Sequence, residues 1–327
     1  MKRWDRMPDI HDIPTVPNEI KDAASKGKLV IFVGAGASRI IGCPSWQSFA
    51  MHHLKNLFDE GMINFHEYSH LSKEEPRKLL SICFNIYAEE KLLPLRTRDV
   101  LQADPKKLAE YPIYDDLYSF NSIYVTTNYD MYLDQAAAKV AGSIPEPLGS
   151  TEPSGVVATK PELQIVSAID ELLISKLNNG TIIHLHGSAE NESDLIITLT
   201  DYMMHYTPGS NPAVFLEEIF KSYTVLFVGY GLEEYEILEF MISKSNQNPG
   251  TIQHYMLYPV FRSESQLLKF QDNYYADLGI KLIPYPKDNN GYDQLANVIK
   301  EWAKQVGPVS QPRQYFDKIR LIDEVLT

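Results

Sequence analysis

The sequence predicts an α/β fold with a doubly wound, mainly parallel, Rossmann-like sheet and a smaller helical lobe. Apolar runs without polar alternation, such as Leu29–Val33, are typical of strands that helices cover on both faces. After residue 195 the patterns of strands and helices alternate, as they do in βαβ units. At 327 residues and 44% hydrophobic content, the chain is long enough to bury such a core beside a second lobe.

Helices are predicted throughout the first third of the chain. One begins near Asn18 and ends at Gly27, and an amphipathic helix begins at Trp46 and stops at Gly61. Residues 62–120 are predicted to be helical and to form the small lobe. Within that lobe one helix begins near Pro76, and a shorter one covers residues 105–117.

Strands and helices alternate in the rest of the chain. A buried strand covers residues 122–126, and a helix follows Asp130 as far as about Val140. Another strand begins at Thr181 and ends in His186 and Gly187. Further strands are predicted at residues 195–198, 224–228, 254–258 and 280–284, and helices at residues 212–223, 233–243, 263–278 and 292–305.

The first strand runs directly into a turn of small residues: Gly34, Ala35, Gly36, Ala37 and Ser38. Such a turn lets the backbone approach a diphosphate, whose charge free amides at the following helix N-terminus would stabilise. A valine at Gly36 is therefore expected to block nucleotide binding and to leave the fold mostly intact. A glycine turn also occurs in plain βα connections, and the third glycine of the dinucleotide fingerprint is absent.

Polar residues follow two other predicted strands. Thr127, Asn128 and Asp130 come after the strand at 122–126, and His186 and Gly187 end the strand that begins at Thr181. The carboxyl ends of strands form the ligand crevice of open α/β sheets. The three sets of residues are therefore predicted to converge on one cleft.

The order of these motifs resembles the sirtuin superfamily, with a Gly-Ala-Gly-x-Ser loop, a Thr-x-Asn-x-Asp segment and a His-Gly pair. A fourth piece, residues 225–232 with Gly229, Tyr230 and Gly231, looks like the strand and turn that hold the adenosine end of NAD in that family. The resemblance covers roughly residues 20–305. It implies NAD as the bound molecule.

The chain also departs from the protein-deacylating sirtuins. Those enzymes carry a zinc ion on two Cys-x-x-Cys pairs, whereas this chain has only Cys43 and Cys83, so no zinc is expected. Where deacylases have Gly-Ile-Pro-x-Phe-Arg, this chain has Gly-Cys-Pro-Ser-Trp over residues 42–46. This resembles the zinc-less bacterial defence branch, whose members are similar to NAD glycohydrolases. Trp46 is then either a core residue or, given its distance from the glycine loop, a wall of the nicotinamide pocket.

The resemblance implies roles for three residues in cleavage of the nicotinamide ribosyl bond. His186 is the candidate general base, because imidazole titrates near neutral pH. Asn128 would bond the ribose or position water, and Asp130 would contact the carboxamide or the oxocarbenium-like state. Other interpretations are a core role for His184, a turn or cap role for Asn128 and a helix N-cap at Asp130.

The function implied is an NAD glycohydrolase that releases nicotinamide and ADP-ribose, as the effector of abortive-infection antiphage defence. A protein-lysine deacylase and a non-catalytic sensor of NAD or an ADP-ribose derivative are the alternatives. The sequence does not decide between NAD and NADP. No histidine cluster has the spacing of metal ligands, so no metal site is predicted.

Composition excludes several other classes. The net charge of −13 argues against direct nucleic-acid binding, which needs clustered Lys and Arg. No apolar run reaches the roughly 20 residues of a membrane span, and Met1 leads into polar residues, unlike a signal peptide. The protein is expected to be cytoplasmic with reduced cysteines.

The catalytic domain is predicted to span residues 1–306, followed by a linker and a short helix over residues 307–327. This tail docks on the domain or leads to another domain or protomer. A homo-oligomer, a partner or a fused sensor domain is therefore expected to control the activity. The Gly-, Ser- and Pro-rich residues 141–161 are predicted to form either a flexible connection or an active-site lid, and their position between the Asn and His motifs favours the lid.

Overall fold

The structure is a computed structural model that describes residues 10–142, 164–167, 169, 173–231, 237, 240–241 and 254–306. Its centre is a seven-stranded sheet in the order β3-β4-β2-β1-β5-β6-β7, with every neighbouring pair parallel. The strands are β1 (Leu29–Val33), β2 (Ile123–Thr126), β3 (Ile165–Val166), β4 (Ile182–His184), β5 (Thr224–Val228), β6 (His254–Val260) and β7 (Ile280–Pro286). The predicted parallel α/β fold is confirmed.

Helices connect the strands. The first nine are α1 (Asn18–Ser25), α2 (Ala35–Ile40), α3 (Trp46–Asp59), α4 (Phe65–Leu71), α5 (Pro76–Glu89), α6 (Thr97–Val100), α7 (Pro105–Glu110), α8 (Ile113–Tyr118) and α9 (Tyr132–Gly142). The later ones within the described residues are α10 (Leu173–Lys176), α11 (Leu199–His205), α12 (Asn211–Ser222), α13 (Ser265–Asp277) and α14 (Gln294–Val306). None of these helices is long and apolar enough to cross a membrane.

The sheet has a hydrophobic core on each face. Residues Leu29, Ile31 and Val33 of β1 face one core, which α1, α2, α8, α9 and α14 cover. Val30 and Phe32 face the other, which α11, α12 and α13 cover. Because successive strand residues point to opposite faces, an uninterrupted apolar strand is what two covered faces require.

A third core lies among α3, α4 and α5, with Phe49, Leu54, Leu80 and Cys83 buried in it. We call these three helices the helical lobe. Helix α8 does not belong to this lobe. It packs against α9 and α14, on the face of the sheet to which Leu29, Ile31 and Val33 point. The division of the chain into domains, with a lobe at residues 62–120, stays a prediction.

Two element predictions are wrong. The segment 195–198 is not a strand. The Ile196 N–H donates a hydrogen bond to the His186 carbonyl, and the side chain of Thr198 caps the N-terminus of α11. Leu195 and Ile197 alternate in burial because they pack against the lobe, and that imitates a strand. The helix predicted over 105–117 is two helices. Pro112 disfavours helical backbone angles at the preceding residue, Tyr111, which ends α7 there.

Three predicted segments lie wholly or largely outside the described residues. They are the lid at residues 141–161, the helix at 233–243 and the tail at 307–327.

Candidate active site

The parallel register brings the predicted motifs together. Val33 pairs with Thr126 on one side and with Val228 on the other, and Thr126 pairs with His184. The four strands therefore end at one level. The chain leaves β1 toward β2 and leaves β5 toward β6, so a topological switch point lies between β1 and β5, where α/β sheets bind ligands.

A cavity of about 620 Å³ opens at this edge. Eleven of the thirteen residues predicted to form the site line it: Ala35, Gly36, Ser38, Trp46, Thr127, Asn128, Asp130, His186, Gly229, Tyr230 and Gly231. The lobe supplies the opposite wall through Phe49, Glu75 and Arg77. The predicted convergence is therefore present in the structure.

Gly34 and Gly187 are not among the lining residues. A Cβ at Gly34 would lie 2.5 Å from the Tyr230 ring, and one at Gly187 would lie 2.4 Å from the Asp194 carbonyl oxygen. Gly187 also has a φ of +81°, which favours glycine. Both glycines serve packing and turn geometry beside the cavity.

Gly36 and Gly229 form the contact between the β1 and β5 loops. The Gly36 N–H donates to the Gly229 carbonyl at 2.7 Å, and a Cβ at Gly36 would lie 2.6 Å from that oxygen. The expectation that Gly36→Val leaves the fold mostly intact is therefore wrong, because the first collision is with the protein itself.

The amides of this loop also differ from the expectation. The Gly36 amide is engaged with Gly229, and the Ala37 N–H donates to the Gly34 carbonyl at 3.1 Å. These two amides are therefore not the free donors expected for a diphosphate. What the loop offers a ligand is close approach of its backbone.

Asn128 fixes the glycine loop to β2. Its Nδ2 donates to the Gly34 carbonyl at 3.1 Å and to Ser38 Oγ at 3.0 Å. The Ser38 hydroxyl donates to Asp130 Oδ2 at 2.6 Å, and Tyr114 OH lies 2.8 Å from Ser38 Oγ. Since the Ser38 hydrogen goes to Asp130, the Tyr114 hydroxyl is the donor in the last contact. Loop and strand end thus form one buried polar network.

Asp130 combines two of the interpretations given above. Its Oδ1 accepts from the Tyr132 N–H at 3.3 Å, as a residue at the start of α9 would, while the side chain also lines the cavity. Burial raises the pKa of its carboxyl, against the lowering effect of the Ser38 hydrogen bond.

His186 is held between two tyrosines of α11 and its C-cap. Its Nε2 lies 2.7 Å from Tyr206 OH and its Nδ1 lies 3.4 Å from Tyr202 OH. Burial, and then the neighbouring His205 and Arg77, hold the pKa of His186 well below its usual value. The expectation that this imidazole titrates near neutral pH is wrong. The ring is neutral at pH 7.

His184 is a core residue with its own partners. Its Nε2 bonds Asp134 at 2.9 Å and its Nδ1 lies 3.3 Å from the Asn128 carbonyl oxygen. Burial by itself would lower the pKa of His184, but the hydrogen bond to Asp134 and the charge of that residue raise it overall. His184 therefore supports the Asn128 segment from behind.

Trp46, at the start of α3, stacks on Phe49 at a ring distance of 5.5 Å and contacts Tyr129 at 5.6 Å. Trp46 and Phe49 form an apolar wall on the lobe side of the cavity, beside the charged residues Glu75 and Arg77. Such a wall suits a planar heteroaromatic group.

A second cavity of about 610 Å³ adjoins the first. The two share Gly36, Gly229, Tyr230 and Gly231 in their linings. The second cavity extends over the ends of β6 and β7, with Tyr258, Tyr275, Tyr285 and Tyr292 around it and with Arg39 and Lys107 at it. The cleft is therefore divided into two halves at the switch point.

Sequence reasoning did not single out Tyr114, Arg77 or Tyr202. Each lies on a helix, so no strand-end pattern marks it. Among the described residues, no group of three or more His, Cys, Asp or Glu could hold a metal ion.

The fold defines a Rossmann-like α/β protein with a cleft at the switch point of its sheet. Residues 122–283, just under half of the chain, match the family model for the SIR2-like domain. The match includes Asn128, His186 and Gly229, and it begins after the glycine loop of β1.

Two relatives are similar over most of this chain. Defense-associated sirtuin 2 of Bacillus subtilis is 25% identical over 226 residues, covering 67% of this chain and 19% of the relative. NAD(+) hydrolase ThsA of Cytobacillus dafuensis is 24% identical over 234 residues, covering 69% of this chain and 40% of the relative. The matched region is thus less than half of either relative.

Proposed function

We propose that this chain is an NAD glycohydrolase that converts NAD and water to nicotinamide and ADP-ribose. The observation that supports it best is the cleft of two adjoining cavities, about 620 and 610 Å³, that meet at Gly36 and Gly229. Each half has the size of a small-molecule site, and a dinucleotide consists of two nucleosides joined by a diphosphate. The relative named as an NAD(+) hydrolase agrees with this choice of ligand.

The nicotinamide riboside belongs in the cavity of Trp46, Asn128 and His186, because that half holds the polar strand ends. The adenosine belongs in the tyrosine-lined half beyond Gly229 and Gly231. The diphosphate then lies over the close contact of the two glycine loops, where the absence of side chains leaves room for it.

Hydrolysis breaks the bond between ribose C1′ and the pyridine nitrogen, and the electron pair of that bond leaves with neutral nicotinamide. Water forms the new C1′–O bond, and its proton passes, directly or through a ribose hydroxyl, to Nδ1 of the neutral His186 imidazole, whose 3.4 Å contact with Tyr202 is the weaker of the two contacts of the ring. Asn128 holds the ribose and water in place, since its own amide is fixed by Gly34 and Ser38. The Asp130 carboxylate lines the same cavity and would stabilise the developing positive charge.

The proposed biological role is antiphage defence, and the name of the relative Defense-associated sirtuin 2 supports it. An NAD hydrolase that acts in antiphage defence would deplete NAD in the infected cell. Control by a homo-oligomer, a partner or a fused sensor domain is part of the same proposal.

The test is incubation of the purified chain with NAD alone, with release of nicotinamide followed by chromatography and NADP run in parallel. Asn128→Ala and His186→Ala should each lower turnover by roughly 100-fold or more, with little change in NAD affinity by calorimetry. His66→Ala, at an exposed histidine of the lobe, is the control and should retain activity.

Three other outcomes contradict the proposal. Nicotinamide release only when an acylated peptide is added would make the chain a deacylase. Binding of NAD without turnover would make it a sensor. Full activity in folded His186→Ala would remove His186 from the reaction.

A further inference from the structure

Both ring nitrogens of His186 face phenol groups. Tyr206 OH lies 2.7 Å from Nε2, and Tyr202 OH lies 3.4 Å from Nδ1 with its ring edge-on at 4.8 Å. A neutral imidazole has one donor and one acceptor nitrogen, whereas a phenol can fill either role. The two tyrosines can therefore bond both nitrogens of either tautomer, and together they hold the plane of the His186 ring.

Tyr202 is itself held from the lobe. The guanidinium of Arg77, in the first turn of α5, lies 4.0 Å from the centre of the Tyr202 ring. A guanidinium over a buried aromatic face is attracted to it and restricts its motion. Arg77 and Tyr202 both line the first cavity, and the Tyr202 side chain is only 4% exposed.

One more contact joins the same two helices. The Leu199 N–H, at the start of α11, donates to Ser81 Oγ of α5 at 2.9 Å. Ser81 lies one turn beyond Arg77 and does not line the cavity. It therefore links α5 to α11 without being part of the site.

We propose that Arg77 and Tyr202 are positioning residues for the hydrolysis, in which Arg77 fixes the Tyr202 ring and Tyr202 fixes the orientation of His186. This inference rests on the proposed function. It gives the lobe a part in the chemistry, since Arg77 transmits the position of α5 to the imidazole. The positive charge of Arg77 also disfavours protonation of His186, in agreement with the direction of its pKa.

Among the residues that the structure describes, charged and titratable groups around His186 come from α5, from α11 with its C-cap and from the end of β2. Arg77 lies on α5, and Tyr202, His205 and the C-cap residue Tyr206 belong to α11. Asp130 lies in the same cavity at the end of β2. Arg77 is the group among these that carries a positive charge at neutral pH, so its removal is the informative change.

The first test measures His186 without any substrate. In the full chain labelled with ¹⁵N-histidine, the His186 signals are identified by their loss in His186→Ala, and the shifts of the two nitrogens at pH 7.5 report the tautomer. Tyr202→Phe and Arg77→Met should both change these shifts. Arg77→Lys, which keeps the positive charge, should restore part of the change, and Ser81→Ala should leave the His186 shifts as they are.

The second test measures turnover of NAD in the same variants. Tyr202→Phe should lower kcat by about 10-fold with KM unchanged. Arg77→Met should move the acid limb of the kcat profile to higher pH, and Arg77→Lys should not.

The two tests separate this inference from the proposed function. His186 shifts that are identical in the parent, Tyr202→Phe and Arg77→Met would overturn the positioning role, whether or not NAD is hydrolysed. Changed shifts in a chain that releases no nicotinamide would leave the placement of His186 standing and reject the hydrolase proposal. Equal effects of Ser81→Ala and Arg77→Met on His186 would also overturn it, because helix packing alone would then be the cause.

Discussion

Replacement of His53 by leucine should stabilise the protein, and the gain should grow as the pH falls. His53 is fully buried on α3 among Phe49, Phe84 and Tyr87. Neither of its ring nitrogens has a hydrogen-bond partner among the residues that the structure describes. An unsatisfied buried polar group costs about 1–3 kcal/mol, and leucine has nearly the volume of histidine. At pH 7.5 the expected gain is therefore about 1–3 kcal/mol.

The pH term is worked from the pKa of the ring. Burial, and then the nearby His52, lower the pKa of His53 to about 4, against 6.5 for the unfolded chain. The unfolded state therefore binds the proton first, and stability is lost as the pH falls from 6.5 toward 4. At pH 5 the loss amounts to about 2 kcal/mol, since one pKa unit is worth about 1.4 kcal/mol. His53→Leu removes this loss.

Urea unfolding of both proteins at pH 7.5 and pH 5, followed by tryptophan fluorescence, measures the two terms. His66→Gln is the matched control, since that histidine is exposed in the lobe and does not act on the pKa of His53, and it should keep the pH dependence of the parent. A stability difference between His53→Leu and the parent that is the same at both pH values would refute the reasoning. Such a result would show that a hydrogen-bond partner compensates for the burial of the ring and keeps the pKa of His53 near 6.5.

Three further predictions concern the site. Gly229→Ala should unfold the chain or lower its stability by at least about 3 kcal/mol in a thermal melt, because the new Cβ would lie 2.5 Å from the Ala37 nitrogen; Gly209→Ala, with a similar positive φ and nothing within 4 Å, should cost only about 1 kcal/mol. Asp130→Asn should raise the Tm at pH 7.5 and not at pH 4. Because burial raises the pKa of Asp130 in the folded state, the ionised carboxylate destabilises the fold at pH 7.5 and is absent at pH 4. An unchanged Tm at pH 7.5 would show that the buried carboxylate is not destabilising. His184→Phe should cost about 3–5 kcal/mol by leaving Asp134 unpaired, yet keep kcat within about 10-fold at a temperature where it is folded; a larger loss of kcat would give His184 a part in catalysis.

The sheet was predictable because its strands are buried on both faces. Runs such as Leu29–Val33 have no polar residue, and the pattern of burial is uninterrupted in the structure. The segment 195–198 misled because burial against the lobe gives the same alternation as burial against a sheet. The two residues of β3 carry too short a pattern to be read.

Apart from Trp46, the part of the site that could be predicted is made by strand ends and the loops that follow them. Asn128 and His186 follow strands, so the parallel register brings them together. Arg77 and Tyr202 come from α5 and α11, and their place depends on how the lobe packs, which the helical period does not encode. Tyr114 was missed because its contact with Ser38 depends on how α8 packs against α9 and α14, which the sequence pattern does not show either.

The contact between Gly36 and Gly229 limits how this cleft can change its ligand. At that point main chain meets main chain, and neither position has room for a Cβ atom. The middle of a bound dinucleotide would therefore be recognised by atoms that every amino acid shares, and mutation cannot retune them without breaking the fold. New preferences must arise at the two ends, near Trp46 on one side or near Arg39 on the other. A search for variants with altered substrate choice belongs at those ends.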